Sequence, residues 1–303
     1  AYHVAEHHGT PLGLASSPGI FLAAAAARTT RLRLGPLVYA LPLYHPVRLI
    51  EEVCMLDQLS GGRFELGVGR GVSPIEVGFY GVDSADGPRQ FPEALRVLKH
   101  GLSSDTLTFD GEFYHFRDVP MVLRPVQQPH PPLWYGVTAP ATAHWAALER
   151  AHMVTLAPTA GAAAVIERYK AEWRALGHTG AMPMRGVMRH VVLADTDASA
   201  FCTARCAYAS WLAHMRFLWD SRGVPFTLPL PATIEQMVES GASFVGTAVG
   251  FREFIATQVA AIDADYLLCD VAFGDMTFDE TMRTAEIVGR EVIPRMGARP
   301  AEV

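Results

Sequence analysis

Two adjacent histidines, His7 and His8, follow Glu6 at the end of the first strand that the hydrophobic pattern predicts. Adjacent residues of a strand point to opposite faces, so only one imidazole can face a site easily. A histidine titrates near neutral pH and can exchange a proton with a bound molecule. The pattern alone leaves two interpretations open: an acid–base site, or a buried pair whose ring nitrogens are satisfied by carboxylates.

A glycine-rich stretch, Val68-Gly69-Arg70-Gly71, closes the strand predicted over residues 64–69. Glycine lets a ligand approach the backbone closely, and the planar guanidinium of arginine matches the geometry of a phosphate. The stretch is not a GxGxxG sequence that leads directly into a helix, so it does not indicate a dinucleotide site. Taken alone, it is a weak indication of phosphate binding.

Residues 137–142 join a predicted strand to a predicted helix and include Thr138, Ala139 and Thr142. Free N–H groups and two hydroxyls at the start of a helix can bind an anion. A threonine at this place can equally be an ordinary helix N-cap, and the sequence does not separate the two.

Glu51 and Glu52 lie near the start of the helix predicted over residues 46–59. Carboxylates at a helix start interact favourably with the helix dipole. Glu51 could also bind a histidine of the neighbouring strand and set its tautomer. Both interpretations remain open at this point.

These residues stand where alternating strand and helix patterns meet, which predicts an α/β fold built from repeated βα units. Seven strands are predicted, over residues 2–6, 31–39, 64–69, 133–137, 153–156, 185–194 and 266–272. Ala1 is followed at once by the first strand, so we expect that a first βα unit precedes the given chain and completes a (β/α)₈ TIM barrel. The carboxyl ends of barrel strands carry the functional residues.

Residues 220–243 interrupt this alternation with three prolines and only a short helical stretch near Ile234. Such insertions often act as substrate loops, and this one has no clustered charge, which favours an apolar or mildly polar substrate. No linker or repeat divides the chain, so a single domain over residues 1–303 is expected.

The composition excludes several classes of partner. Half of the 303 residues are hydrophobic, 18% are charged and the net charge is −6 without a basic block, so neither nucleic acid nor an anionic membrane is an expected partner. The four cysteines form no CxxC pair, which predicts reduced thiols in the cytoplasm and no metal site. No apolar run has transmembrane length, and no signal peptide is visible.

In their order along the chain, these motifs resemble the bacterial luciferase-like monooxygenases. The most specific stretches are residues 6–8, 41–48, 55–63 and 67–71, and weaker ones are Arg89 with Glu93 and residues 137–142, 244–254 and 291–294. The resemblance covers nearly the whole chain except residues 220–243.

The resemblance implies a TIM barrel that holds reduced FMN at the carboxyl ends of its strands. His7 matches the catalytic histidine of the family, with Glu6 and His8 beside it and Glu51 as its partner. Leu37 and Val38 match a pair joined by a cis peptide bond under the isoalloxazine ring. The other matches to cofactor contacts are Gly69, Arg70, Val72, Arg89, Thr138, Ala139 and Thr142, and Glu76 matches an acidic residue beyond them.

Three departures from the family pattern argue against light emission and for a general family member. Gly9 stands where a large aromatic residue is common, Gly69 where luciferase has a cysteine, and Val137 where luciferase has a glutamate.

The reaction that the resemblance implies is two-component. A separate flavin reductase supplies reduced FMN, O₂ adds at the flavin 4a carbon, and the resulting peroxide oxygenates a small organic substrate while His7 exchanges a proton. Two alternatives are hydride transfer from a deazaflavin coenzyme and a non-catalytic flavin-binding or partner subunit. The resemblance also implies a homodimer that pairs through the helices of residues 18–28 and 46–59. These helices could equally pack against the barrel, and the sequence does not separate the two interpretations.

Overall fold

The computed structural model describes residues 1–71 and 73–296 and divides into two compact units, Ala1–Gly136 and Val137–Val303, each of which is described by itself. Val72, which the resemblance matches to a flavin contact, lies outside the described residues. Among the residues described, no helix combines the length and hydropathy needed to cross a bilayer.

The first unit alternates short parallel strands with helices. Its strands are β1 (Tyr2–Val4), β2 (Leu34–Pro36), β3 (Tyr39–Ala40), β4 (Leu66–Gly69), β5 (Thr106–Asp110), β6 (His115–Pro120) and β7 (Leu133–Gly136). Its helices are α1 (Pro18–Arg28), α2 (Pro46–Ser60), α3 (Pro74–Phe79) and α4 (Gly87–Ser103). Parallel pairs join β1 to β2, β3 to β4 and β4 to β7, whereas β5 and β6 form an antiparallel hairpin.

Helices α1 and α2 match the sequence prediction because their ends are marked by strong local signals. Each helix begins with proline, whose fixed φ suits the first helical position. Helix α2 ends at Gly61, which adopts the left-handed conformation at φ 65° that favours glycine. Helix α1 buries Leu22 and Ala26, which are four residues apart and therefore share one face.

The strand predicted over residues 31–39 is not continuous. The structure divides it into β2 and β3, and a cis peptide bond joins Leu37 to Val38 between them, which confirms the expectation from the resemblance. Glycine is required beside this break, because a Cβ atom on Gly67 would lie 2.0 Å from the carbonyl oxygen of Pro36.

Helix α4 begins at Gly87 and contains Pro92 in its interior. Pro88 occupies one of the first two helical positions, where a proline costs no hydrogen bond.

The second unit has its own parallel strands and helices. Its strands are β8 (His152–Thr155), β9 (Arg185–Leu193), β10 (Ser243–Gly246) and β11 (Tyr266–Asp270). Its helices are α5 (Ala143–Leu148), α6 (Thr159–Ala175), α7 (Asp197–Ser221), α8 (Ile234–Glu239), α9 (Ala248–Phe254) and α10 (Phe278–Ile287). Strand β9 pairs in parallel with β8, β10 and β11.

The segment of residues 220–243 is more ordered than an open loop. The hydroxyl of Tyr208 in α7 donates to the carbonyl oxygen of Pro231 at 2.6 Å, and the ring of Phe226 packs edge-on against Trp219 at 5.3 Å. Helix α8 begins with a capping box between Thr233 and Gln236. The short helix that the sequence predicts near residue 234 is therefore confirmed, but strand β10 beside it is a strand that the sequence did not predict.

Candidate active site

His7 lies just beyond β1 and is oriented by Glu76. Its Nδ1 atom is 3.3 Å from Oε1 of Glu76, while Oε2 of the same carboxylate accepts the backbone N–H of His8 at 2.9 Å. Glu76 is buried in the first turn of α3, where the Ser73 hydroxyl accepts its backbone N–H at 3.2 Å. The fixed carboxylate therefore favours the tautomer with hydrogen on Nδ1, which leaves Nε2 of His7 for proton exchange.

The neighbouring histidine has no free ring nitrogen. Nε2 of His8 is 2.9 Å from Oε1 of Glu6, and its Nδ1 is 2.7 Å from the hydroxyl of Tyr80. Oε1 of Glu6 also accepts the hydroxyl of Tyr44 at 2.6 Å, and Oε2 accepts the backbone N–H of Ala40 at 2.8 Å. His8 is therefore the buried, satisfied histidine of the pair, and His7 is the histidine available for chemistry.

The buried side chain of Glu6 holds the end of β1 in place through hydrogen bonds. Its side chain is 1% exposed and binds His8 and Tyr44, and its expected contact with a cofactor stays a prediction. Burial raises the pKa of Glu6 even though hydrogen bonds from Tyr44, Ala40 and His8 oppose the rise. Burial, followed by the charge of Glu6, also raises the pKa of Tyr44.

Glu51 does not bind a histidine, and the expectation that it would is wrong. Its exposed side chain pairs with Arg48, with Nη1 and Oε2 3.3 Å apart. Successive residues of a helix are about 100° apart, so only one of two adjacent glutamates can face inward. That residue is Glu52, which accepts the hydroxyl of Tyr39 at 2.6 Å, and the carboxylate that holds the histidine is Glu76.

The carboxyl end of β4 packs closely against Val38, which follows the cis peptide bond from Leu37. A Cβ atom on Gly69 would lie 2.5 Å from Cγ2 of Val38, and one on Gly136 would be 3.8 Å from Cγ1 of the same residue. Gly69 therefore allows an approach of β4 to Val38 that a larger residue would prevent.

Arg70 provides an unpaired positive charge next to this strand end. Its side chain is exposed and borders a cavity of about 170 Å³ that the hydroxyl residues Ser73 and Ser84 also line. Across residues 1–71 and 73–296, no carboxylate pairs with Arg70, and it is the only charged residue among those that line the cavity. A guanidinium and two hydroxyls form a suitable set of donors for a phosphate group.

A second, smaller space of about 20 Å³ lies beside His7 and is also lined by Glu6, His8 and Glu76. This volume is about what one water molecule needs. The space therefore gives the acid–base groups room for a small oxygen-containing molecule.

Arg89 differs from Arg70 because its charge is already compensated. Its guanidinium binds the carboxylates of Asp86 and Glu112 and lies 5.4 Å from the ring centre of Phe113. The hydrogen bond to Asp86 is the main reason that the pKa of Arg89 is raised. Glu93 fixes the same turn, because its carboxylate accepts the backbone N–H groups of Glu112 and Phe113 at 2.9 Å each.

The turn at the start of the second unit is not held by threonine caps. The hydroxyl of Thr142 donates to the carbonyl oxygen of Ala139 at 2.9 Å, and it accepts no backbone N–H of helix α5. Thr138 and Ala139 are exposed. Thr142 therefore stands at the N-cap position without capping the helix through its hydroxyl, and anion binding at this turn stays a prediction.

Sequence reasoning missed the two tyrosines that complete the histidine network, Tyr44 and Tyr80. Tyr44 lies within the stretch of residues 41–48 that carries the resemblance, but nothing in its spacing indicates a contact with Glu6. Tyr80 follows α3, and only the tertiary structure brings it to His8, where the two rings meet edge-on at 4.9 Å.

Comparison with known proteins shows which family the chain is similar to. The family model of luciferase-like monooxygenases matches residues 1–248. The protein y4wF of Sinorhizobium fredii, whose name states no activity, is 38% identical over 298 residues, which cover 98% of this chain and 87% of y4wF.

Two solved structures show the fold. The monooxygenase RslO1 from Streptomyces bottropensis superposes with a TM-score of 0.86 at 24% identity and covers 96% of this chain and 87% of its own. The oxygenating constituent of 3,6-diketocamphane monooxygenase from Pseudomonas putida, solved in complex with FMN, has a TM-score of 0.78 at 18% identity and covers 98% and 89%. The predicted TIM-barrel fold is confirmed by these likenesses.

Proposed function

Because the chain belongs to the luciferase-like monooxygenases, we propose that it uses reduced FMN and O₂ to insert one oxygen atom into a small organic substrate. The observation that carries the proposal is the pairing of His7 with the buried carboxylate of Glu76, which leaves one ring nitrogen free at a strand end. The carboxyl end of β4 also offers the guanidinium of Arg70, which pairs with no carboxylate among the described residues, beside Gly69, which packs against Val38.

Arg70 would hold the flavin phosphate, and Gly69, Leu37 and Val38 would border the ring. The charge of Arg70 has no carboxylate partner among the described residues, so a phosphate would meet no competitor there. Arg89 would have to release Asp86 or Glu112 to take part. From the second unit, we propose the turn residues Thr138 and Ala139, which are exposed, and Thr142, which is partly buried, as further phosphate contacts.

When bound, reduced FMN supplies the electrons with which O₂ is divided between product and water. The protein binds and orients the reactants, and Nε2 of His7 donates or accepts the proton that moves during oxygen transfer. Glu76 keeps hydrogen on Nδ1 of His7 throughout. The buried side chains of Tyr39 and Val68 would keep water out of the core beneath the ends of β3 and β4.

A separate flavin reductase is proposed as the source of reduced FMN. The name of the 3,6-diketocamphane relative, an oxygenating constituent, describes one part of a monooxygenase.

We also propose a cytoplasmic homodimer. Its interface would consist of apolar side chains that α1 and α2 expose, namely Ile20, Phe21, Met55 and Leu59. All four cysteines are free thiols.

An anaerobic titration with reduced FMN followed by a pulse of O₂ tests the proposal. We expect binding and then a long-lived absorbing species that is neither reduced nor oxidised FMN, which His7→Ala shortens and Arg70→Ala prevents by loss of binding. Arg117→Ala, which removes an exposed arginine of β6, serves as the matched control and should behave as the parent.

Other results would support the alternatives. Binding of FMN without such a species would favour the non-catalytic subunit. Binding of a reduced deazaflavin coenzyme in place of FMN would favour hydride transfer. No binding of either cofactor would refute the proposed function.

A further inference from the structure

Three polar side chains form a row across neighbouring strands of the second unit. The register of the sheet pairs Ser243 in β10 with His190 in β9, and His190 with Asp270 in β11. Register partners of adjacent strands project from the same face of a sheet. Ser243, His190 and Asp270 therefore lie side by side on one face.

Only part of the hydrogen-bonding capacity of this row is used. Nδ1 of His190 is 2.9 Å from Oδ2 of Asp270, so the imidazole donates to the carboxylate and its Nε2 becomes an acceptor. Within the part of the chain that the structure describes, no group hydrogen-bonds to Nε2. The hydroxyl of Ser243 is fully buried and also has no partner. Buried polar groups are nearly always paired, so the buried hydroxyl of Ser243 lacks a polar partner.

Three aromatic rings pack near the imidazole of His190. The ring centre of Phe273 is 4.5 Å from that of His190, Trp211 is at 4.7 Å and Tyr208 is at 6.4 Å. His190 itself is buried, whereas the side chain of Asp270 is 30% exposed at the end of β11. The row therefore connects an aromatic interior to an edge that solvent reaches.

The chemistry of the row selects the kind of molecule that fits it. The missing group must donate to Nε2 of His190 and can accept from the hydroxyl of Ser243, which a ligand hydroxyl does with one oxygen atom. The carboxylate of Asp270 disfavours an anionic ligand. The three rings favour an aromatic body that stacks edge-on or offset against them.

We propose that Ser243, His190 and Asp270 form a binding site for a small, uncharged aromatic molecule that carries a hydroxyl group. The ligand hydroxyl donates to Nε2 of His190 and accepts from Ser243, and the ligand ring packs against Trp211 and Phe273. Binding of this ligand does not depend on the flavin. That such a molecule is the substrate to be oxygenated rests on the proposed function.

The test uses the full chain with ¹⁵N-labelled histidine, and phenol as the probe. His190→Gln identifies the ring resonances of His190 among those of the 12 histidines. We expect phenol to shift the Nε2 resonance of His190, whereas anisole, which cannot donate, and benzoate, which is charged, leave it in place. No shift with phenol up to about 10 mM, a very weak affinity even for a fragment, would overturn the site. An equal shift with anisole would do the same.

Ser243→Ala separates a binding role from a structural one. Because the hydroxyl has no partner in the protein, its removal should leave the unfolding temperature unchanged or raise it, while phenol binding weakens about three- to tenfold, as for one neutral hydrogen bond. Ser221→Ala, at the exposed end of α7, is the matched control and should change neither quantity. A lower unfolding temperature with unchanged phenol binding would contradict the proposal.

Titration of the Ser243→Ala variant with reduced FMN keeps the two proposals apart. Unchanged FMN binding together with weakened phenol binding supports the site. Phenol binding in a protein that binds no flavin would refute the oxygenase and leave the site intact. Flavin binding and oxygen reactivity without phenol binding would refute only the site.

Discussion

Nδ1 of His7 lies 3.3 Å from Oε1 of Glu76, although the two residues are 69 positions apart in the chain. The second oxygen of the carboxylate holds the backbone of His8. The buried side chain of Glu76 thus fixes both the position of the strand end and the tautomer of His7. Substitution of this one residue therefore tests the chemistry of the site.

Replacing Glu76 by glutamine should slow the reaction without weakening substrate binding. The amide keeps the size of the side chain but removes its charge, so the tautomer of His7 is less strictly fixed. We expect kcat to fall by about 10- to 100-fold, the usual effect of losing the partner that orients a functional histidine, with KM unchanged. Steady-state kinetics with a coupled reductase measures both constants.

Glu239→Gln, at the end of α8, is the matched control for this substitution. Added formate should partly restore the activity of Glu76→Ala, because a free carboxylate can occupy the vacated position. A Glu76→Gln variant with parental kcat would contradict the orienting role of Glu76.

Replacing Arg70 by alanine should weaken the binding of reduced FMN by about 10- to 100-fold, corresponding to about 1.5–3 kcal/mol for a hydrogen bond to a charged group. Arg70→Lys should recover part of this loss, since it keeps the charge but not the planar pair of donors. Anaerobic fluorescence titration gives the Kd of each variant. Riboflavin, which lacks the phosphate, should bind all three proteins equally, and a loss of riboflavin affinity would show a different role for Arg70.

A methyl group at position 69 should displace Val38. The new Cβ atom of Gly69→Ala would lie 2.5 Å from Cγ2 of Val38, so one of them must move. We expect a loss of stability of about 1–3 kcal/mol from overpacking, and a loss of FMN affinity because Val38 is proposed to border the flavin ring. Gly78→Ala in α3, where a Cβ atom meets nothing within 4 Å, is the control and should bind FMN normally.

The pH dependence of stability should contain a contribution from His3. Burial lowers the pKa of His3 from 6.5 to about 4, so the folded state binds fewer protons than the unfolded state between these values. The free energy of unfolding should therefore rise by about 3 kcal/mol from pH 4 to pH 6.5 and stay constant above it. Urea unfolding of the parent and of His3→Phe measures the contribution, and equal pH profiles of the two proteins would contradict it.

Local signals in the sequence predict the helices and strands more completely than they predict the tertiary contacts between them. The prolines and glycine that begin and end α1 and α2 act within a few residues, so these helices could be predicted closely. Strand β10 could not, because its four residues lack the length and alternation of a strand signal and it forms only by pairing with β9.

The site shows the same division between local and distant information. His7 and Arg70 could be selected from residue type and position, but the choice of Glu76 rather than Glu51 as partner of His7 could not. Both are glutamates near helix starts, and only the folded chain brings one of them to the histidine. The cis bond between Leu37 and Val38 was predicted from the resemblance alone, since nothing in the two side chains indicates it.

The uncompensated charge of Arg70 also determines how a phosphate-bearing ligand would approach. The protein as a whole carries a net charge of −6, so at long range it repels an anion, and attraction begins only within about 8–10 Å of the guanidinium. Added salt would screen the repulsion and the attraction together. The rate of association should therefore depend only weakly on ionic strength, while dissociation becomes faster as salt weakens the contact with Arg70.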